Sequence, residues 1–241
     1  MTEKIQQYLF MLATLCALTF CVNAQNEEEP IFDVNFSIYI WPQNQYIEQG
    51  SNLTALPELG YQDIKGIHWF QPREGKKTAT MHYTGPNPIR LFTKVQEDEI
   101  GLVKQAYTEL KIPANNSEFV AFVFPQENIN GANGTPLKMS RVMNLDPNRF
   151  KEGEPLFVNF STQEIAFKYG KNQQIIPAGG VISLPVESDG ERSPVMLATK
   201  VDNEWVTQRT TSLSLSSKAR SLILLEPYSD SKKWKIIRIV F

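Results

Sequence analysis

The side chains best suited to chemistry in this chain are its two histidines, His68 and His82. An imidazole serves as general base or metal ligand near neutral pH. Neither histidine stands in a His-Glu-x-x-His arrangement, and no carboxylate pattern accompanies them. Their spacing therefore builds no metal site and no catalytic pair. An enzyme that combines His68 or His82 with a carboxylate from elsewhere ranks third among the functional readings. No catalytic residue, metal or cofactor is assigned.

Other motifs are weaker. There is no Gly-x-Ser-x-Gly elbow, phosphate loop or dinucleotide fingerprint. Ser229-Asp230-Ser231-Lys232 fits a Ser-x-x-Lys pattern, but it stands in a polar turn with no helix predicted behind it. Glu97-Asp98-Glu99 and Asp202-Asn203-Glu204 lack the alternating ligands of a calcium loop and read as solvated turns. Gly131-Ala132-Asn133-Gly134 reads as a hairpin loop.

Aromatic residues carry more promise. Trp41, His68-Trp69-Phe70, Trp205 and Trp234 lie in or beside strand-like segments. Neighbours on a strand face opposite ways, so Trp69 and Phe70 cannot both enter the core of a sheet with one wet face. Trp69, Phe70 and His68 are thus the candidate ligand-binding residues, able to stack on a sugar ring or a partner's apolar surface. Packing between domains is the competing use of the same rings.

A short stretch that occurs twice organises the elements behind these residues. Ile89–Val95 (Ile-Arg-Leu-Phe-Thr-Lys-Val) matches Val195–Val201 (Val-Met-Leu-Ala-Thr-Lys-Val). Pro72-Arg73-Glu74-Gly75 matches Pro177-Ala178-Gly179-Gly180, and Phe119–Pro125 matches Ser221–Pro227. Aligning Leu137–Met143 with Trp234–Val240 then places Arg141 against Arg238. The landmarks keep their order while their offsets drift from 105 and 106 through 102 to 97 residues, as loop insertions would cause. Two copies of about 100 residues point to tandem domains, since solenoid periods are about 20–50.

Residues 31–144 read as domain 1, 145–155 as a Pro- and Gly-bearing linker, and 156–241 as domain 2. Domain 1 opens on Ile31–Trp41, where Val34, Phe36, Ile38 and Ile40 alternate as on a half-buried strand. Residues 42–60 read as an irregular insertion. Strands are expected near 62–70, 77–83, 89–95, 107–112, 117–124 and 137–144, with 97–104 undecided between strand and helix. Domain 2 should carry strands at Leu156–Phe160, Ile165–Tyr169, Gln174–Ile176, Val181–Val186, Val195–Val201, Trp205–Arg209, Ser212–Ser216, Arg220–Glu226 and Trp234–Phe241. Many short strands between turn signals predict an all-β fold of two antiparallel β-sandwiches, Ig-like or small-barrel in type.

The amino-terminal segment reads as a secretory signal peptide over 1–24. Lys4 precedes an apolar run from Tyr8 to Val22, and Val22-Asn23-Ala24 offers small residues for cleavage. The run is short for a membrane span. Lipoprotein anchoring through Cys21 ranks second, because bulky Phe20 precedes it. An acidic leader, 25–30, follows and is expected to be disordered. Both cysteines, Cys16 and Cys21, fall within the signal segment, so the mature chain can form no disulfide. Exported eukaryotic domains lean on disulfides, and their absence favours a bacterial envelope or secreted protein. In that setting the Asn35, Asn52, Asn115, Asn133 and Asn159 sequons are matters of composition. The net charge of −2 argues against broad attraction to nucleic acid or anionic membrane.

The strand-like end, Lys233–Phe241, closes on an aromatic as outer-membrane barrels do. A barrel needs longer, uninterrupted strands, so this segment reads as a closing sandwich strand. The leading functional expectation is a non-catalytic protein of the periplasm or secreted space that binds or assembles with another envelope protein. Carbohydrate binding through exposed aromatics comes second, with polysaccharide as the partner.

Overall fold

The computed structural model describes residues 30–42, 56–98, 101–114, 117–131, 136–148, 150–227 and 234–241. The segment read as signal peptide, the acidic leader as far as Glu29, the Ser-x-x-Lys turn and most of the Gly131–Gly134 loop lie outside them. Among the described residues there is no helix, hence none long and apolar enough to cross a membrane.

Among the described residues sixteen strands follow one another: β1 (Phe32–Ile40), β2 (Leu59–Asp63), β3 (Gly66–Phe70), β4 (Met81–Gly85), β5 (Ile89–Asp98), β6 (Gly101–Leu110), β7 (Glu118–Asn130) and β8 (Pro136–Asn144) in the first half. The second half adds β9 (Leu156–Asn159), β10 (Ile165–Tyr169), β11 (Asn172–Ile176), β12 (Val181–Ser183), β13 (Arg192–Val201), β14 (Glu204–Ser214), β15 (Ser221–Pro227) and β16 (Trp234–Val240). They form four sheets in the orders β3-β2-β5-β6, β4-β1-β7-β8, β12-β9-β15-β16 and β11-β10-β13-β14. Adding eight to each strand number of the first two sheets gives the other two. None closes into a barrel, which removes the small-barrel alternative.

Three apolar clusters separate four layers within the compact unit Phe32–Phe241. Phe36, Ile38, Tyr61, Leu91, Phe119 and Ala121 lie between the β2-β5 and β1-β7 sheets. Phe157, Phe167, Tyr169, Leu197, Ile223 and Leu225 lie between the β9-β15 and β10-β13 sheets. Tyr39, Trp41, Val120, Phe122, Val158, Leu222 and Leu224 join the two inner sheets. Both inner sheets are therefore covered on both faces, which explains the uninterrupted apolar runs Phe119–Val123 and Leu222–Leu225. In each sheet such a run pairs in parallel with its neighbour, β7 with β1 and β15 with β9. Parallel pairs belong where both faces are buried. The expectation of purely antiparallel sheets is corrected at these two central pairings.

The repeated Leu-x-Thr-Lys segments lie on β5 and β13. Leu91 and Leu197 are buried in matching clusters, and each ladder has a bulge directly after that leucine. The outer sheets are stitched to the inner ones between the same strands, β6 to β8 and β14 to β16, and the first bond of each pair stands at equivalent positions. Thr108 Oγ1 donates to Lys138 O at 2.6 Å and Ser140 Oγ to Glu109 O at 2.7 Å. Arg209 Nη1 donates to Trp234 O, and Arg238 Nη1 to Ser214 O at 2.7 Å.

Several boundaries differ from those expected. The segment 62–70 is a hairpin, turned at Ile64-Lys65 by the Asp63 carboxylate, which accepts from the Lys65 and Gly66 amides at 2.7 and 3.1 Å. β2 begins at Leu59, inside the segment read as irregular. The undecided stretch is strand: β5 runs on to Asp98 and β6 occupies 101–110 instead of 107–112. Trp205–Arg209 and Ser212–Ser216 form parts of one strand, β14. Finally, β8 and β16 align one residue off the sequence match. Phe119 pairs Asn144 and Ser221 pairs Val240, so Arg141 corresponds to Ile237, not Arg238. A one-residue slip exchanges the two faces of a strand.

Candidate functional site

The outer sheet of the first half carries the aromatic candidates. Phe70 and His68 alternate inward on β3. Phe70 packs against the core, and the His68 ring stacks on Tyr61 with centroids 4.9 Å apart. His68 Nε2 meets Asp63 Oδ1 at 2.9 Å. Burial works against the charged Asp63 carboxyl, yet the His68 bond and the Lys65 and Gly66 amides hold it below its usual range. Trp69 faces the opposite way and meets Phe92 edge-on at 5.4 Å. Both rings cover Gly60, whose missing Cβ would stand 2.8 Å from Phe92 and 2.9 Å from Trp69. Neither Trp69 nor Phe70 joins the apolar layer between the halves; Trp41 does.

His82 lies on β4, facing β1. Its Nε2 is 2.9 Å from Asp33 Oδ1 and its Nδ1 is 3.2 Å from Asn35 Oδ1. Among the described residues, no group of three or more His, Cys, Asp or Glu converges as a metal site would need. Thus each histidine meets one aspartate of its own sheet, and the two pairs lie on different sheets.

The matching outer face of the second half is emptier. Register places Ala166 where the first half has Gly60, Ile175 for Trp69 and Ala198 for Phe92. Ile175 and Ala198, smaller than the rings they replace, leave a depression of about 270 Å³ bounded by Ile175, Met196 and Trp205. Trp205 is 40% exposed, which leaves its ring available for stacking. The Lys200 ammonium sits 5.2 Å from the ring centroid and is itself held by Glu164 at 2.6 Å.

A larger groove, about 590 Å³, opens along the rim where β8 of one inner sheet approaches β9 and β12 of the other. Its apolar lining comes from Val142, Met143, Leu156, Val158, Val181 and Ile182. Ladder alternation gives the direction of the backbone groups here. The Leu145 amide bonds Glu118 O, so Met143 and Arg141 address β7 while Val142 and Asn144 point away from it. The Asn159 amide bonds Gly180 O and the Leu184 amide bonds Pro155 O, so Ile182 addresses β9. The N–H and C=O groups of Val181 and Ser183 consequently point away from their sheet. Two open strand edges border one groove.

Arg141 is the charged residue in the groove lining. Its guanidinium carbon lies 5.2 Å from the centre of the Phe160 ring, and Phe160 stacks on Trp41 at 5.1 Å and 24°. The cation–π contact orients the guanidinium. Among the described residues it meets no carboxylate and donates no hydrogen bond. On the opposite rim the segment before β4 lies against β1. There Thr78 N–H bonds Ile38 O at 2.9 Å, Gly75 N–H bonds Ile40 O at 3.0 Å, and Lys77 stands 4.9 Å over Phe241.

Comparison of the chain with protein-family models and with curated proteins returns no match. Sequence reasoning named Trp205 among the strand-borne aromatics but chose Trp69, Phe70 and His68 instead, and it passed over Arg141, Val181 and Ser183 as site residues. Their significance lies in being at sheet edges, which depends on strand order. The available signal was the uninterrupted apolar character of β7 and β15, which marks central strands and leaves β8 and β12 for the rims.

Proposed function

We propose that this is an exported, non-catalytic protein of the bacterial cell envelope, built from tandem copies of one β-sandwich domain, that binds another envelope protein or takes part in its assembly. The repeated strand order, the matching bulges after Leu91 and Leu197 and the equivalent Thr108–Lys138 and Arg209–Trp234 bonds support duplication. The layout of residues 1–24 and the absence of cysteine beyond Cys21 support export. The observation that carries the function is the groove bordered by the open edges of β8 and β12. An unpaired edge is a template for another strand, and an apolar groove beside it gives that strand's side chains a place.

The test is a crosslinking pull-down of tagged protein, residues 25–241, from its native envelope fraction. The expected result is a stoichiometric protein partner with crosslinks to β8 and β12. Recovery of polysaccharide alone, or of nothing, overturns the reading. Amino-terminal sequencing of the envelope-derived protein should begin at Gln25; an intact Met1 or a blocked Cys21 would redirect the localisation.

The depression beside Trp205 favours carbohydrate binding as the second reading. An exposed indole with Lys168, Gln173 and Thr207 around it offers a stacking face and polar groups. A screen of plant, algal and peptidoglycan polymers, read by Trp fluorescence, should then give a shift that Trp205→Ala abolishes. Absence of binding across those polymers removes this reading.

A further inference from the structure

We infer that the groove between β8 and β12 receives an extended strand of a partner protein, and that Arg141 binds an acidic side chain of that strand. The inference rests on the protein-binding reading and gives the partner a chemistry. Four consecutive β8 residues, Arg141 to Asn144, and three β12 residues line the groove. At about 3.3 Å per residue this is the length of three to four residues of bound strand. The outward backbone groups of Val142, Asn144, Val181 and Ser183 supply donors and acceptors at the two-residue spacing that an extended polypeptide matches. Leu156 and Val158 supply an apolar floor for alternate side chains.

Charge settles the remaining feature. Among its lining residues the groove holds one cation and no anion, and that cation lacks an acceptor among the described residues. A guanidinium presents five N–H donors in a planar fork that fits a carboxylate. The aromatic stack from Trp41 through Phe160 holds the fork in place, so little order is lost when a carboxylate arrives. A basic strand would be repelled, and a neutral one would leave those donors unused. The recognised segment is thus an Asp or Glu with apolar residues at alternate positions beside it.

A random twelve-residue peptide library, selected against the full chain, tests this directly. Enriched peptides should share an acidic residue within an alternating apolar pattern. Their affinity should fall at least about tenfold for Arg141→Gln, the change expected when a charge-assisted bond is lost. Replacing the peptide's acid by its amide should cause the same loss for the wild type and no further loss for Arg141→Gln. Val181→Pro, which removes one outward amide, should weaken every enriched peptide; its melting temperature serves as the folding control. Exposed Arg141→Gln remains decisive should that proline variant fail to fold. No enrichment, enrichment without acidic preference, or equal binding by Arg141→Gln each overturns the inference. If the envelope partner is still captured by Arg141→Gln and by folded Val181→Pro, the protein-binding reading stands and this groove assignment falls.

Discussion

At the scale of single residues, Asn159 has the most to lose. Its side chain is fully buried, and its Nδ2 donates to the carbonyls of Gln163, Ile176 and Pro177 at 2.7, 3.2 and 2.9 Å. Its Oδ1 accepts from Ser161 N–H and Oγ–H at 2.9 and 2.6 Å. Asn159→Leu would leave those buried groups unpaired and should cost about 2–4 kcal/mol, measured by urea denaturation. The sequence displayed this residue only as part of an Asn-Phe-Ser sequon, because its partners sit in the loop after β9 and at the end of β11, whose approach depends on the fold of the second half. Gly60 is similar: nothing around it in the chain announces that two aromatic rings will lie on its Cα. Gly60→Val should destabilise by about 1–3 kcal/mol through forced movement of Trp69 and Phe92, with a change in near-UV circular dichroism.

At the scale of elements, local turn chemistry decided what could be read. The β13–β14 turn holds Asp202 and Asn203 at φ of 50° and 67°, the left-handed region that Asx residues tolerate. That pair marked the turn in the sequence. Asn203→Val should cost about 1 kcal/mol and Asn203→Gly little, as thermal melts of the two variants will show. The β2–β3 turn gave no such sign, since Ile64 and Lys65 are ordinary strand residues. The turn there comes from the Asp63 carboxylate capping two amides and from Gly66 at φ 135°. The stretch 97–104 stayed undecided for a related reason. The bulge that leaves Tyr107 without a partner breaks the two-residue alternation that would mark one continuous strand.

At the scale of the whole molecule, the layer between the halves governs behaviour. Because both inner sheets are apolar on both faces, neither half has a wet exterior of its own there, and calorimetry should find one unfolding transition for both. Within that layer Glu226 Oε1 accepts from the Trp41 indole N–H at 2.8 Å, while its buried Oε2 meets no partner among the described residues. Burial pushes the Glu226 carboxyl up to about 7, although the Trp41 bond and nearby Lys235 oppose the rise. The native state then holds a proton that the unfolded chain, near its ordinary value of 4.5, releases earlier. Stability linked to Glu226 is fully present below the unfolded value and is lost as pH rises through about 7. Allowing for partial contact with solvent, the loss from pH 5 to pH 8 is on the order of 1–2 kcal/mol. Glu226→Gln keeps an acceptor for Trp41 and has no proton to release, so its stability should exceed the wild type's at pH 8 and converge with it at pH 5. Urea denaturation of both proteins across that range measures the difference directly. Parallel curves would show that the carboxyl titrates alike in the folded and unfolded chain, and a single acidic group would then have no hold on the seam between the sheets.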